Sequence, residues 1–145
     1  MQNAAELRKQ WIEKVVLQHP ALVDVAATQL WEALAIRLVA LIGEGGFLAL
    51  YRRSVYITRS RFAWLALPAP QAGRQQIFSA LCSDLHTQLQ SPQGSEQAPT
   101  ASVALFHNFS DILAGLIGEA MTLDLLQAAW SVESALEKAF QGDMR

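Results

Sequence analysis

Ala33-Leu-Ala-Ile-Arg-Leu-Val-Ala-Leu-Ile-Gly-Glu-Gly-Gly-Phe-Leu-Ala-Leu50 is apolar on nearly every side as far as Ile42, breaks at Gly43-Glu-Gly-Gly46, and turns apolar again. A helix without a polar face sits at the centre of a helical assembly. Glycines directly after it allow left-handed dihedrals at low steric cost. The stretch therefore reads as a central helix, about Ala21 to Ile42, stopped sharply and followed by a third helix from near Phe47, with Leu50, Tyr51, Ser54 and Thr58 on one line.

Working outward, Asn3 and Glu6 form a capping box for a first helix that buries Leu7, Trp11, Ile12, Val15 and Val16 and turns Arg8, Lys9, Glu13 and Lys14 to solvent. His19-Pro20 ends it. Val55 to Thr58 finds no second strand to pair with and reads as helix end; Phe62 to Leu67 tucks against the bundle before Pro68-Ala-Pro70. A fourth helix over Arg74 to Gln90 carries Ile77, Leu81, Leu85 and Leu89 at i, i+4 spacing. Residues 91–100 contain no large apolar side chain and read as a flexible internal loop. A fifth helix spans Ala101 to Ile117 and ends at Gly118, and Thr122 caps a sixth with Leu125, Ala129, Val132, Leu136 and Phe140 inward and a frayed Gly142 to Arg145. The expectation is one all-α domain over residues 1–145, a six-helix bundle.

Leu41-Ile-Gly-Glu44 recurs as Leu116-Ile-Gly-Glu119, 75 residues later, with Leu38/Leu113, Leu48/Leu123 and Leu50/Leu125 in step. Two pseudo-repeated three-helix units would produce this pattern. So would any two leucine-rich hairpins stopped by glycine, and both readings stay open.

Composition narrows function. Eleven basic against thirteen acidic residues give a net charge of −2, which supplies no field for nucleic acid or an anionic membrane. Cys82 is the only cysteine, so no disulfide closes within the chain, and the charged stretch from Glu6 to Lys14 lacks the apolar region of a signal peptide. A cytoplasmic location is expected. Hydrophobic residues reach 52%, a surplus that points to a protein interface or an internal cavity. Arg37, Glu44 and the glycines argue against a spanning helix.

No Walker loop, G-x-G-x-x-G, G-x-S-x-G, H-E-x-x-H or paired C-x-x-C is present, so no catalytic residue, metal ligand or cofactor is assigned. The contact candidates each stand beside a plainer alternative. Glu44 and Glu119, at matching places, would meet one another or Arg37, or remain solvated turn residues. Arg52, Arg53, Arg59 and Arg61, with Tyr51 and Tyr56, form the one local basic patch, suited to a phosphate or an acidic partner, or a snorkelling arginine face. His107 and Asp111 are spaced i, i+4 without a second ligand nearby, and Cys82 with His86 lacks a third group. Phosphotransfer domains place a lysine and a small residue after the accepting histidine; His86-Thr-Gln-Leu and His107-Asn-Phe-Ser do not.

Ile42-Gly-Glu-Gly-Gly-Phe-Leu-Ala-Leu-Tyr-Arg-Arg-Ser54, Leu116-Ile-Gly-Glu119 and Ala129-Trp130 together resemble helical segments attached to bacterial sensor histidine kinases and related signalling proteins, over about Leu30 to Trp130. The resemblance implies a non-catalytic regulatory or interaction module in signal transduction, and the apolar surplus adds that it forms a homodimer or higher oligomer or binds a signalling protein. The second expectation is a small-molecule-binding bundle, with an apolar cavity between its halves anchored by Arg37, Tyr51 or His107. A third, an enzyme assembled from scattered ionisable groups, would need them to converge in one cleft.

Overall fold

The computed structural model describes residues 3–143, with side chains to Ser131, and it is all-helical among those residues. Five α-helices follow in order: α1 (Ala4–Val16), a 3₁₀ turn (Pro20–Leu22), α2 (Val23–Thr58), α3 (Arg74–Gln90), α4 (Gln97–Ile117) and α5 (Glu119–Asp143). Val132, Leu136 and Phe140 lie outside the residues whose side chains are described, and Met144 and Arg145 outside the described backbone.

The Asn3 carboxamide caps α1, accepting the Glu6 N–H at 2.8 Å. Gly43 breaks α2: its dihedrals, φ 82° and ψ 164°, lie in a region open essentially to glycine alone. The consequence is a hairpin. In one straight helix Trp31 and Tyr51 would stand about 30 Å apart, yet their rings meet edge to face at 5.1 Å. The gap expected between Ile42 and Phe47 is thus one residue, with helical dihedrals on both sides of it. Gly118, at φ 94° and ψ 156°, makes the same break between α4 and α5, and Phe106 meets Trp130 edge to face at 5.1 Å across that hairpin.

Replacing Gly43 with alanine tests this geometry. An added Cβ meets no atom within 4 Å, so the cost comes from the dihedrals alone, about 1–3 kcal/mol. Gly45, an ordinary helical position with equally open surroundings, should gain up to about 1 kcal/mol from the same change. Urea unfolding midpoints should therefore move in opposite directions.

The two hairpins share one core, and α2 packs against every other helix. Trp31 stacks on Phe106 at 4.1 Å with an 11° interplanar angle and meets Tyr51 and Phe109 edge to face, and Phe47 and Phe78 extend the cluster from these two. Positions 75 residues apart are buried together: Val23 with Ala98, Ala27 with Ser102, Leu34 with Phe109, Leu38 with Leu113, Tyr51 with Leu126 and Val55 with Trp130. Phe62 and Leu65 tuck the 59–73 connector onto this core.

Four expectations need correction, the first being the burial of Leu7, which is exposed. Residues 97–100 of the supposed flexible loop begin α4. Pro99 is tolerated in a first turn, where its missing N–H has no intrahelical partner to lose, and Ala98 and Ala101 are small enough to bury completely. Thr122 does not cap α5; the helix restarts at Glu119, and the buried Thr122 hydroxyl donates back to the Gly118 carbonyl at 2.7 Å. Arg8 does not face solvent but is 1% exposed.

By length and composition alone, two stretches, Pro20–Thr58 and Gln97–Ile117, are apolar enough to cross a membrane. Both supply much of the buried core, and the first also leaves a face open.

Candidate functional site

Three places in the bundle collect chemistry. The first is built around Arg8, which shares an i, i+4 line with the buried Ile12 and Val16. Its Nε and Nη2 donate to the two Glu119 oxygens at 2.9 and 3.0 Å, a bidentate fork; Nη2 also donates to Asp111 at 2.7 Å and Nη1 to Ser110 Oγ at 2.6 Å. Planar, charge-assisted pairs of this kind are the stronger ion pairs. Hydrogen bonding from Arg8 holds the Glu119 carboxyl below its ordinary pKa, and Glu119 in turn raises that of Arg8. Glu119 also opens α5, where a carboxylate complements the helix dipole. Beside it, His107 Nε2 lies 3.3 Å from the Lys9 carbonyl and 3.9 Å from Glu13, and burial lowers its pKa. Each carboxylate and amine here is already engaged within the cluster. It clamps α1 to α4 and α5.

The second place is a cavity of about 130 Å³ between the 44–58 arm of α2, the 59–73 connector and α3. Its walls are Val55, Leu65, Leu67, Pro68, Ile77 and Leu81; its polar groups come from Tyr51, Asp84, Gln76 and backbone. Tyr51 is buried, and burial followed by the Asp84 charge pushes its phenol pKa far up, so it stays a neutral hydroxyl. One Asp84 oxygen accepts the Ala66 N–H at 2.9 Å, which holds the connector against α3.

The third place is the outer face of the 23–42 arm. Leu22 (62% exposed), Val25, Ile36 (67%) and Leu41 leave it open, with Gln29, Glu32 and Arg37 among them. Spacing of three and four residues from Leu22 through Val25, Gln29, Glu32 and Ile36 to Ala40 lines them along one side of the helix.

The remaining sequence candidates disperse. Glu44 and Glu119 meet neither each other nor Arg37: Glu44 pairs with Arg74 Nε at 3.0 Å, because each carboxylate opens a different hairpin arm and meets the helix laid across that arm. The arginine patch does not converge. Arg52 donates to the Ala69 and Pro70 carbonyls at 3.2 and 2.9 Å, Arg53 lies 5.7 Å from the Tyr56 ring centroid, and Arg61 lies 5.2 Å from that of Phe62. Arg59 is half-buried and its Nε has no partner among the described residues. His107 and Asp111 take separate partners, the Lys9 carbonyl and Arg8. His86 Nδ1 is 3.0 Å from Asp24 rather than paired with Cys82. Among the described residues no group of three or more His, Cys, Asp and Glu side chains is placed to hold a metal.

Arg8 and Asp84 are the residues sequence reasoning missed. For Arg8 a signal existed, its register with Ile12 and Val16; for Asp84 only the fold of the connector supplies one. Compared with known proteins, the chain matches no protein-family model, no curated protein and no solved structure.

Proposed function

We propose that the chain is a non-catalytic interaction module of a signalling system in the cytoplasm, built as two three-helix units about an approximate twofold axis, and that it self-associates through the open face of the 23–42 arm. Support for the internal twofold comes from the matched glycine breaks, the co-buried pairs 75 residues apart, and the stacking of Trp31 on Phe106, which are themselves such a pair. A residue and its symmetry mate touch only near the axis.

One observation carries the interaction reading. On α4, the face that includes Ala104, His107 and Asp111 is approached by α1, through Arg8, Lys9 and Glu13. The positions 75 residues earlier are Gln29, Glu32 and Ile36, and all three are exposed. The face of the first hairpin that matches the α1-covered face of the second is thus open, because α3 lies against the 44–58 arm, Arg74 on Glu44 included, and meets the 23–42 arm at its Asp24 end, through His86. A second copy, laid antiparallel, would bring Glu32 of each copy to Arg37 of the other while burying Ile36 against Ala33. These same two charges in mid-helix disfavour lipid as the covering.

Sedimentation velocity tests it. The protein should sediment as a dimer at tens of micromolar. Ile36→Glu should weaken association at least about a hundredfold, since the two carboxylates would be buried close together at the interface. Glu32→Arg and Arg37→Glu should each weaken it, and the double variant should restore it. A protein that stays monomeric, or a dimer indifferent to Ile36→Glu, would end the proposal.

A further inference from the structure

Beyond self-association, we infer that the cavity beside Tyr51 is a binding site for a small primary ammonium ion with a branched aliphatic body. The cavity's size sets the body. At about 130 Å³ it is close to an engineered apolar cavity of about 150 Å³ that takes benzene, so a ligand of roughly six heavy atoms fits. Its walls set the character: Leu65, Leu67, Ile77 and Leu81 offer aliphatic contact.

The charge is set by Asp84, the one carboxylate in the lining, which contains no lysine, arginine or histidine. Its Oδ2 is engaged by the Ala66 N–H, and Oδ1, without a hydrogen-bond partner among the described residues, is left to accept from a ligand. Arg52, next to Tyr51 in sequence, is not itself in the lining; its guanidinium is held by the Ala69 and Pro70 carbonyls. Tyr51 lines the same cavity with a hydroxyl able to accept as well as donate. An ammonium group has three donors and no acceptor, which matches a wall of acceptors, whereas a carboxylate ligand would meet Asp84 as a like charge. The site lies on the 44–58 arm, away from the open face of the 23–42 arm, so occupancy and self-association are separable.

Isothermal titration of the full chain with 3-methylbutylamine, 3-methylbutan-1-ol and 3-methylbutanoate separates charge from shape. The amine should bind about tenfold or more tightly than the alcohol, the margin of one charge-assisted hydrogen bond, and the carboxylate should not bind. Asp84→Asn, whose side-chain oxygen still accepts the Ala66 N–H, should erase the amine's advantage and leave the alcohol unchanged. Ala80→Phe, filling the cavity from its rim, should remove binding of both. Equal affinity for amine and alcohol, no amine binding at millimolar concentration, or an amine advantage that survives either substitution would overturn the inference.

Discussion

Trp31→Ala is expected to destabilise the fold by about 4 kcal/mol, lowering the melting temperature by about 8–16 °C. Trp31 is fully buried, stacked on Phe106 at 4.1 Å and edge-on to both Tyr51 and Phe109, so its removal opens a void on which both hairpins border. Trp31→Phe should cost far less. It keeps a ring in the stack and removes an indole N–H that has no partner among the described residues. The coupling can be isolated. In a double-mutant cycle, Trp31→Ala and Phe106→Ala should show an interaction of about 0.5–1.5 kcal/mol, the usual range for aromatic pairs beyond buried area. Equilibrium unfolding in urea reads all of these, and a loss under about 1 kcal/mol for Trp31→Ala would place the ring outside the core.

Arg8→Met should cost about 2 kcal/mol at neutral pH, below the range for breaking a fully buried ion pair because water still reaches both carboxylates. Glu119 and Asp111 keep 33% and 45% side-chain exposure while Arg8 is enclosed. Methionine fills much of the volume of the arginine stem but leaves Ser110 and both carboxylates without their shared donor. The pH dependence follows from Glu119. Its folded-state pKa is depressed by Arg8, so the stabilisation is present above the ordinary carboxyl pKa and disappears as pH falls through the depressed value. Wild type should therefore lose stability more steeply than Arg8→Met on acidification, the two curves converging at low pH. Parallel curves would show that Arg8 acts through shape alone.

How much of this was legible in the sequence depended on the kind of constraint. The glycine breaks were readable because the demand at Gly43 and Gly118 is local: apolar helix on one side, a residue free to take positive φ next. The helical class and the α3 limits followed from spacing, which is also local. Arg8 was misplaced because pattern reading sends charge to solvent, and its partners Ser110, Asp111 and Glu119 lie more than a hundred residues along the chain. The start of α4 was hidden for the opposite reason. Ala98 buries only a methyl group, so its contact leaves no hydrophobic signal, and the polar run around it reads as loop. Tyr51 was a candidate anchor from its position, but its partner Asp84 comes into range only because the connector lies against α3.

These pieces combine into one physical account. Two hairpins, each turned at a glycine, enclose an aromatic centre; α1 is clamped to the second hairpin by Arg8, and the corresponding face of the first is left open. The most direct test of that asymmetry is a distance. In protein with Cys82→Ser and a single spin label at Ala40→Cys, pulsed electron paramagnetic resonance should show a distance of about 20 Å between labels on two copies, as expected for arms crossing antiparallel near residue 34 at a helix rise of about 1.5 Å. Absence of any dipolar signal at concentrations where a dimer should form, or a distance beyond about 40 Å, would contradict it.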